Sequence, residues 1–359
     1  MSLLSKTIQG SSSSQPPLLL LQSSIAQSTI PLIRQILSHN LKRDDGAKPP
    51  GHILLFCFVY SPLDLLNGVS PHPNYLEVHD WTDNVPGYTD DWFDPRNAIL
   101  SLVQSAPAGP IHVIIDSVDT LSSDVGPTSE TYKVLREVLA LVHSRPSPSR
   151  LVLNTLKPSN IIPLLTQPAF SPSLVQLIAH PPVLLAHLAK DYLTPPPPAS
   201  PEAKFWAAFI PLSERGHDID RLVFGADGEG SGGATEMVVE VLVRWSENFG
   251  KKRGVERVLE GWSSAVPNGV CELTRLESLK TFWTAKTTEQ LTPDPTQLAS
   301  FNLSLTSSQQ ESRAQVPLPY AHEGNLLVRQ TLTTTAAILY DPDSADDIDD
   351  DDPDEDLDI

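Results

Sequence analysis

Four uninterrupted apolar runs, alternating with helical patterns, constrain the fold of this chain more than any other feature. The runs are LLLL at 18–21, HILLFCFVY at 52–60, IHVIIDSV at 111–118 and RLVLN at 150–154. A strand that is apolar along its whole length is buried on both faces, as in a parallel sheet covered by helices. Helical spacing of apolar residues follows at 30–43 and at 128–144. The alternation predicts an α/β fold with a mostly parallel central sheet flanked by helices.

Further elements are predicted where short apolar segments stand between turn residues. The additional strands are YLEVHDW at 75–81, LVQLI at 174–178, KFWAAFIPL at 204–212, RLVFG at 221–225, EMVVEVLVRW at 236–245 and GVERVLEGW at 254–262. Antiparallel pairs are expected among the last four of these strands. Residues 181–193 carry a helical pattern that the proline-rich TPPPPASPE ends.

The domain organisation follows from where these patterns start and stop. The predicted segments are a flexible N-terminus (1–16), one α/β domain (17–283) with proline-rich and glycine-rich loops (near 194–201 and 225–234), an irregular extension (284–340) and an acidic tail (341–359). The tail cannot bury enough apolar surface to fold, so we expect it to be disordered by itself.

The formal net charge of −19 is concentrated in that tail. Twelve acidic residues and no basic residue lie between Asp341 and Ile359, and without those twelve the chain carries −7. Two interpretations stay open. The tail is either a solvated charged run, or a segment that docks on a partner with Leu357 and Ile359 as its apolar anchor.

The small number of cysteines and the lack of a long apolar run indicate the cellular compartment. Two cysteines, Cys57 and Cys271, are too few for a disulfide framework or a thiolate metal site. No apolar run approaches the roughly 18 residues that a membrane-spanning helix needs. A cytoplasmic protein is therefore expected.

The run IHVIIDSVDTL raises the question of nucleotide hydrolysis, because a buried strand ending in an acid is typical of nucleoside triphosphatases. Such enzymes also need a glycine-rich phosphate loop and a lysine. At the corresponding place, Gln22 and Gln27 take the glycine positions, Ser28 takes the lysine position, and Thr29 alone is of the right type. The sequence therefore predicts a RecA-like fold with a degenerate phosphate loop. An ordinary strand-to-helix turn, capped by Ser28 or Thr29, explains the same residues.

Asp116 allows two roles of its own. A carboxylate at the end of a buried strand can accept hydrogen bonds from the first amides of the next helix, which is a structural role. The alternative is an atypical nucleotide hydrolase that uses Asp116 and Asp119 with a cation borrowed from a neighbouring subunit. No nucleophile elbow, zinc-binding H-E-x-x-H or dinucleotide fingerprint is found in the sequence, and we predict no catalytic, cofactor-binding or metal-binding residue.

One basic cluster is a candidate for nucleic-acid binding. Lys251, Lys252, Arg253 and Arg257 lie close together, and an acidic protein can still bind phosphates through such a local patch. A solvated turn between two strands explains the cluster equally simply. Trp206 and Trp245 are candidates for partner docking, with core contacts as the alternative.

Four segments resemble the Elongator complex protein 5 family of fungi. They are LIAHPPVLLAHLAKDYL at 177–193, KFWAAFIPLSERGHDIDRLVFG at 204–225, VPLPYAHEG at 316–324 and the tail ILYDPDSADDIDDDDPDEDLDI at 338–359. The tail is the most specific of them, because composition alone would not fix its two D-P-D patterns or its final Leu-Asp-Ile. The resemblance runs over most of the chain and is weakest in the first fifty residues.

The resemblance implies a function for the whole chain. Members of this family contribute a RecA-like, non-catalytic subunit to a six-membered ring with two copies each of Elongator complex proteins 4, 5 and 6. That ring binds transfer RNA and attaches to the Elongator core, which installs a carboxymethyl-type group on carbon 5 of the wobble uridine. The implied partners are proteins 4 and 6, the catalytic core and transfer RNA, in the cytoplasm and also in the nucleus.

Overall fold

The structure is a computed structural model that describes residues 2–10, 16–41, 51–68, 75–226, 228, 235–245, 254–281, 283 and 308. The chain divides into two units, Met1–Thr292 and Pro293–Ile359. All of the elements named below lie in the first unit.

The helices and strands alternate along the chain as far as β6, except that two helices, α5 and α6, lie between β4 and β5. The strands are β1 (Leu18–Ser23), β2 (His52–Cys57), β3 (Leu76–Asp80), β4 (Ile111–Ile115), β5 (Arg150–Leu156), β6 (Leu174–His180), β7 (Glu236–Trp245), β8 (Gly254–Ser263) and β9 (Val270–Cys271). The helices are α1 (Leu3–Gln9), α2 (Ile30–Leu41), α3 (Pro62–Leu66), α4 (Pro95–Ser105), α5 (Val118–Val125), α6 (Thr128–His143), α7 (Ile162–Leu165), α8 (Pro182–Asp191), α9 (Glu202–Ser213) and α10 (Gly216–Phe224).

Within the described residues, nine strands form one sheet in the order β3-β2-β4-β5-β1-β6-β7-β8-β9. The first six strands in that order are all parallel to one another. The last three add on as antiparallel strands, starting with the pairing of β6 and β7. This topology confirms the predicted α/β fold class with a mostly parallel central sheet flanked by helices. The pairing of β7 with β8 is one of the antiparallel pairs expected among the last four predicted strands.

Both faces of the parallel strands are covered, which explains their uninterrupted apolar sequences. Leu19 and Leu21 of β1 pack with α2 on one face, while Leu18 and Leu20 pack with α4 and α6 on the other. A third apolar cluster joins α8, α9 and α10 to β7. Because successive side chains in a strand point to opposite faces, β1, β2, β4, β5 and β6 each contribute to two cores at once.

Two predicted strands in the second half are wrong, because both segments are helical. KFWAAFIPL lies inside α9, where Phe205, Phe209 and Leu212 are the buried residues. RLVFG is the last part of α10, whose buried residues are Ile219 and Val223. In both segments the buried residues recur every three or four positions, which is the helical period. The aromatic and β-branched residues of the segments favoured a strand in the sequence-based prediction.

The N-terminal segment also differs from the expectation of a flexible end, since residues 3–9 form α1. Ser2 caps this helix, and Leu4 and Ile8 are buried in the core. The Glu260 carboxylate on β8 accepts hydrogen bonds from the backbone amides of Leu3 at 2.7 Å and Leu4 at 3.1 Å. An acid at a helix N-terminus satisfies amides that have no partner within the helix.

If α1 is an integral part of the fold, replacing Leu4 by alanine should destabilise the protein. Leu4 is fully buried, and such truncations cost about 2–5 kcal/mol in the free energy of unfolding. The measurement is urea unfolding of the protein, with Leu63→Ala as the matched control because Leu63 is 82% exposed. Equal unfolding midpoints for the two variants would mean that α1 is not packed against the core.

Candidate functional site

The Asp116 carboxylate lies where β4 ends, at the carboxyl edge of the parallel strands, and is fully buried. It accepts three backbone hydrogen bonds from the segment that follows β2. The donors are the amides of Phe58 at 2.7 Å, Val59 at 2.9 Å and Tyr60 at 2.8 Å. The carboxylate therefore serves as the anchor of a neighbouring loop.

These contacts refine the structural role that the sequence allowed for Asp116, because the three donors belong to the loop after β2, not to the helix that follows β4. Burial raises the pKa of the Asp116 carboxyl, and the hydrogen bonds from Tyr60, Val59 and Phe58 oppose that rise. A carboxylate whose oxygens are already bound to three amides is poorly placed to hold a metal ion or to activate water.

The degenerate phosphate loop, residues 22–29, is closed on itself. The amide of Ser24 donates to the carbonyl of Gln27 at 2.9 Å, and the amide of Gln27 donates back to Ser24 at 3.2 Å. The Gln22 side chain is buried, and its amide finds no hydrogen-bond partner among the described residues. The amides of Ser24 and Gln27 are therefore used within the turn and do not point to a ligand.

Thr29 keeps a structural role at the start of α2. Its hydroxyl lies 2.6 Å from the Ser23 hydroxyl and donates to Asn154 Oδ1 at 2.6 Å. Asn154 Nδ2 donates in turn to the backbone carbonyl of Asp116 at 2.8 Å. These buried hydrogen bonds connect the ends of β1, β5 and β4. They also occupy the Thr29 hydroxyl, which stands at the position that contacts magnesium in an active phosphate loop.

Asp119, the second acid of the alternative hydrolase, is also engaged. Its carboxylate accepts a hydrogen bond from the Leu156 amide at 2.6 Å and another from the Ser159 hydroxyl. Asp119 thereby fixes the segment after β5. Both acids of the hydrolase hypothesis thus have structural partners within this chain.

Large apolar side chains are exposed along the same edge. Ile25 in the degenerate loop is 66% exposed, Leu63 after β2 is 82% exposed, and Val59 and Leu156 are each about half exposed. Exposed apolar side chains that stand close together indicate an interaction surface more often than isolated ones do. The edge therefore combines a closed phosphate loop with an apolar surface.

A second polar cluster lies on the antiparallel side of the sheet, around the buried carboxylate of Glu240 on β7. Glu240 Oε2 lies 3.0 Å from His180 Nε2, and Glu240 Oε1 lies 3.0 Å from Arg257 Nε. The Arg257 guanidinium also stands over the Trp206 ring, 5.6 Å from its centroid. Arg257 is therefore the partner of a buried acid in this structure.

The charges of this cluster follow from its burial. Burial lowers the pKa of His180, so the imidazole is neutral at pH 7, and its Nε2–H donates a hydrogen bond to the Glu240 carboxylate. Burial works to raise the pKa of Glu240, but the His180 hydrogen bond and the charges of Arg257 and Lys157 outweigh it, leaving that pKa below its ordinary value. Glu240 is thus an ionised carboxylate balanced by Arg257, with Lys157 nearby.

Lys157 is the lysine that follows β5 at the carboxyl edge, close to the degenerate loop. Its backbone amide donates to the Ser23 carbonyl at 2.8 Å. Burial lowers the pKa of its amine, opposed by the charges of Glu240 and Glu214. The amine interacts electrostatically with Glu240 and Glu214 and is therefore part of the Glu240 cluster.

The other residues selected from the sequence fall into two groups. Lys251, Lys252, Arg253, Leu357 and Ile359 lie outside the described residues. Trp206 is half-buried, and its Nε1 donates to the Glu202 carboxylate at 3.3 Å. Trp245 is half-buried against the apolar cluster beneath α2. The assignment of these residues to RNA or partner contacts stays a prediction.

Sequence analysis missed Asn154, His180, Lys157 and Glu240. A buried asparagine at the end of RLVLN and an acid inside EMVVEVLVRW were available signals, because polar residues inside apolar runs need partners. The partners themselves lie on other strands, so they could not be identified from the sequence.

Two other kinds of site receive no support. In the part of the chain that the structure describes, no three His, Cys, Asp or Glu side chains come together as metal ligands. The described helices also include none that is long and apolar enough to span a membrane.

Comparison with known proteins gives one match over nearly the whole chain. The family model described as Elongator subunit Iki1 matches residues 3–341. Elongator complex protein 5 of Mus musculus is 41% identical over 70 residues, and that of Homo sapiens is 40% identical over 70 residues. Each of these matches covers 18% of this chain and 23% of the relative.

Two solved structures resemble the chain distantly. A KaiC-like protein from Pyrococcus horikoshii has a TM-score of 0.37 and 11% identity, over 71% of this chain and 88% of its own. A DnaB-like replicative helicase has a TM-score of 0.36 and 9% identity, over 72% of this chain and 59% of its own. At these scores neither structure adds an argument about chemistry, and the fold class rests on the topology.

Replacing Arg257 by alanine should destabilise the protein, because it leaves the buried Glu240 carboxylate without its cation. We expect a loss of about 2 kcal/mol or more in the free energy of unfolding, measured in urea at pH 7.5. Arg275→Ala, at an exposed arginine, is the control. Unchanged stability together with weaker RNA binding would instead support the RNA-contact assignment of Arg257.

The His180 cluster should make the protein less stable in mild acid. The folded pKa of His180 is lowered, so the unfolded chain takes up a proton first and stability falls as the pH drops below about 6.5. His180→Gln should lower stability at pH 7.5 but remove about 1 kcal/mol of the further loss at pH 5.5. The free energy of unfolding of both proteins is measured in urea at the two pH values. An equal loss of stability in the wild type and the variant would contradict the role given to His180.

Proposed function

The chain belongs to the Elongator subunit Iki1 family, whose model matches residues 3–341, and we propose that it is a non-catalytic subunit of the Elongator accessory ring. In this proposal the ring holds two copies each of Elongator complex proteins 4, 5 and 6, and the chain takes the place of protein 5. The ring binds transfer RNA and attaches to the catalytic core. The core then modifies carbon 5 of the wobble uridine with a carboxymethyl-type group.

The observation that carries the non-catalytic part of the proposal is the closed edge of the parallel sheet. Asp116 is bound by three amides, the turn at 24–27 is bonded to itself, and Thr29 is bound by Ser23 and Asn154. A nucleotide site at this place needs free amides, a free hydroxyl and a lysine. In this segment the amides of Ser24 and Gln27 and the Thr29 hydroxyl are bonded within the chain, and Ser28 stands at the lysine position.

The exposed apolar side chains at the same edge support membership in an assembly. Ile25, Val59, Leu63 and Leu156 would meet water in an isolated chain. In a ring each subunit presents two different faces to its neighbours, and the apolar edge is suited to be one of them. In this proposal a neighbouring subunit covers the edge at which an active enzyme would bind its nucleotide.

The second candidate is an atypical nucleotide hydrolase, alone or at a subunit boundary, that uses Asp116. The contacts of Asp116 and Asp119 described above give it little support, because both carboxylates hold loops of this chain. A composite site would have to release those contacts first.

The proposed location of the protein is the cytoplasm and also the nucleus.

Co-expression with Elongator complex proteins 4 and 6 should yield a particle whose mass corresponds to two copies of each subunit. Its affinity for transfer RNA should fall as salt rises, because phosphate contacts release counterions. Reversing the charges of Lys251, Lys252 and Arg253 to glutamate should weaken that binding by about tenfold or more, without changing the mass. Lys133→Glu with Arg136→Glu, on exposed positions of α6, is the matched control.

Two outcomes would contradict the proposal. A stable monomer that joins neither partner would show that the ring assignment is wrong. A ring that hydrolyses ATP, and that loses this activity through Asp116→Asn while still assembling, would favour the hydrolase.

A further inference from the structure

The segment between β3 and α4, residues 81–94, presents large apolar side chains to solvent and is called the acidic aromatic loop below. Tyr88 is 90% exposed, Val85 and Phe93 are each 41% exposed, and Trp92 is 37% exposed. This is a high density of exposed apolar surface for fourteen consecutive residues, and it lies at the end of the sheet next to the apolar edge described above.

The loop is held in one shape by its own hydrogen bonds. The Asn84 side chain donates to the Phe93 carbonyl at 3.0 Å and accepts from the Phe93 amide at 3.1 Å. The Tyr88 amide donates to the Val85 carbonyl at 3.1 Å across a turn in which Gly87 has φ +78°. Proline followed by a glycine of positive φ forms a type II turn, which places Tyr88 at its end.

The base of the loop is fixed to the core. The Trp81 ring lies 5.2 Å from the Phe56 ring, 5.5 Å from Phe58 and 5.4 Å from Phe93, measured between centroids. A loop that is already ordered loses little conformational entropy when it binds, so its exposed side chains can contribute fully to affinity. The exposed side chains are therefore presented by a rigid support.

The charge of the loop limits what it can bind. Asp80, Asp83, Asp90 and Asp91 are exposed, and no lysine or arginine occurs from 80 to 94. The fifth acid, Asp94, is bound to Arg96. The negative field opposes the phosphates of a nucleic acid, although tyrosine and tryptophan could otherwise stack on bases. The same field attracts a surface rich in lysine and arginine.

We propose that the acidic aromatic loop docks on a neighbouring protein subunit, where Tyr88 and Val85 enter an apolar pocket rimmed by lysine and arginine. Tyr88 supplies the large contact area typical of residues that dominate binding. Asp83, Asp90 and Asp91 face the basic rim and steer the encounter. The inference rests on the proposed function in one respect, namely that the neighbour is a subunit of the same ring.

The test is a competition inside one cell. Wild-type and variant chains carrying different tags are co-expressed with Elongator complex proteins 4 and 6, and the ratio of the two chains in the purified particle is measured. Tyr88→Ser is expected to enter the particle at about one-tenth of the wild-type level or less, as for a residue that dominates an interface. Tyr192→Ser, at a tyrosine that is 50% exposed directly after the end of α8, is the matched control and should compete equally.

The charge part is tested separately with Asp90→Lys and Asp91→Lys in one chain. This variant should be outcompeted by the wild type in the cell. When purified subunits are mixed in vitro, its disadvantage should be larger at low salt than at high salt. Urea midpoints of the purified particles check that Tyr88→Ser does not act by unfolding the chain.

The possible outcomes distinguish a failure of the docking inference from a failure of the proposed function. If the wild-type chain joins no particle, the proposed function fails. If the wild type assembles and Tyr88→Ser competes equally, the docking inference alone is wrong. If Tyr88→Ser assembles normally but the particle loses affinity for transfer RNA, the loop contacts nucleic acid and the protein-docking inference is overturned.

Discussion

A continuous series of buried hydrogen bonds across four neighbouring strand ends determines what the rest of this structure can do. It runs from Thr29 to the Asn154 side chain, from Asn154 to the Asp116 carbonyl, and from the Asp116 carboxylate to the amides of residues 58–60. The strands that it joins, β1, β5, β4 and β2, are consecutive in the sheet. Buried polar groups of this kind stabilise a structure only when all of them have partners. At this edge of the sheet the buried polar groups are bound to one another by the protein's own contacts.

Much of the parallel half was predictable because its signal is local. A continuous apolar run such as 52–57 or 111–115 can hardly be anything but a doubly covered strand, and the period of 128–143 is plainly helical. The degenerate phosphate loop stays a prediction, which rests on the absence of glycine and lysine at residues 22–29. The helices α9 and α10 were missed because aromatic residues favour strands in general while Phe205 and Phe209 are spaced for a helix.

The polar clusters could not be predicted for a different reason. Arg257 and Glu240 lie on paired strands, with Arg257 opposite Leu242 and Glu240 opposite Leu259, so their contact is diagonal. That contact depends on the register of two strands, and a register shift of one residue would send one side chain to the opposite face. Arg257 therefore looked like a member of a surface patch with Lys251, Lys252 and Arg253. The structure gives it a partner inside the protein and leaves the three other charges as the remaining candidates for RNA contact.

The capping of α1 by Glu260 has a consequence for synthesis on the ribosome. The Leu3 amide and the Glu260 carboxylate that accepts its hydrogen bond are 257 residues apart. At about 5–20 residues per second, the segment that caps α1 emerges on the order of tens of seconds after α1 itself. During that interval Leu4 and Ile8 lack part of the surroundings that bury them in the finished protein. The helix α1 is thus completed only when a strand far along the chain has been made, so its contact with β8 forms late in synthesis.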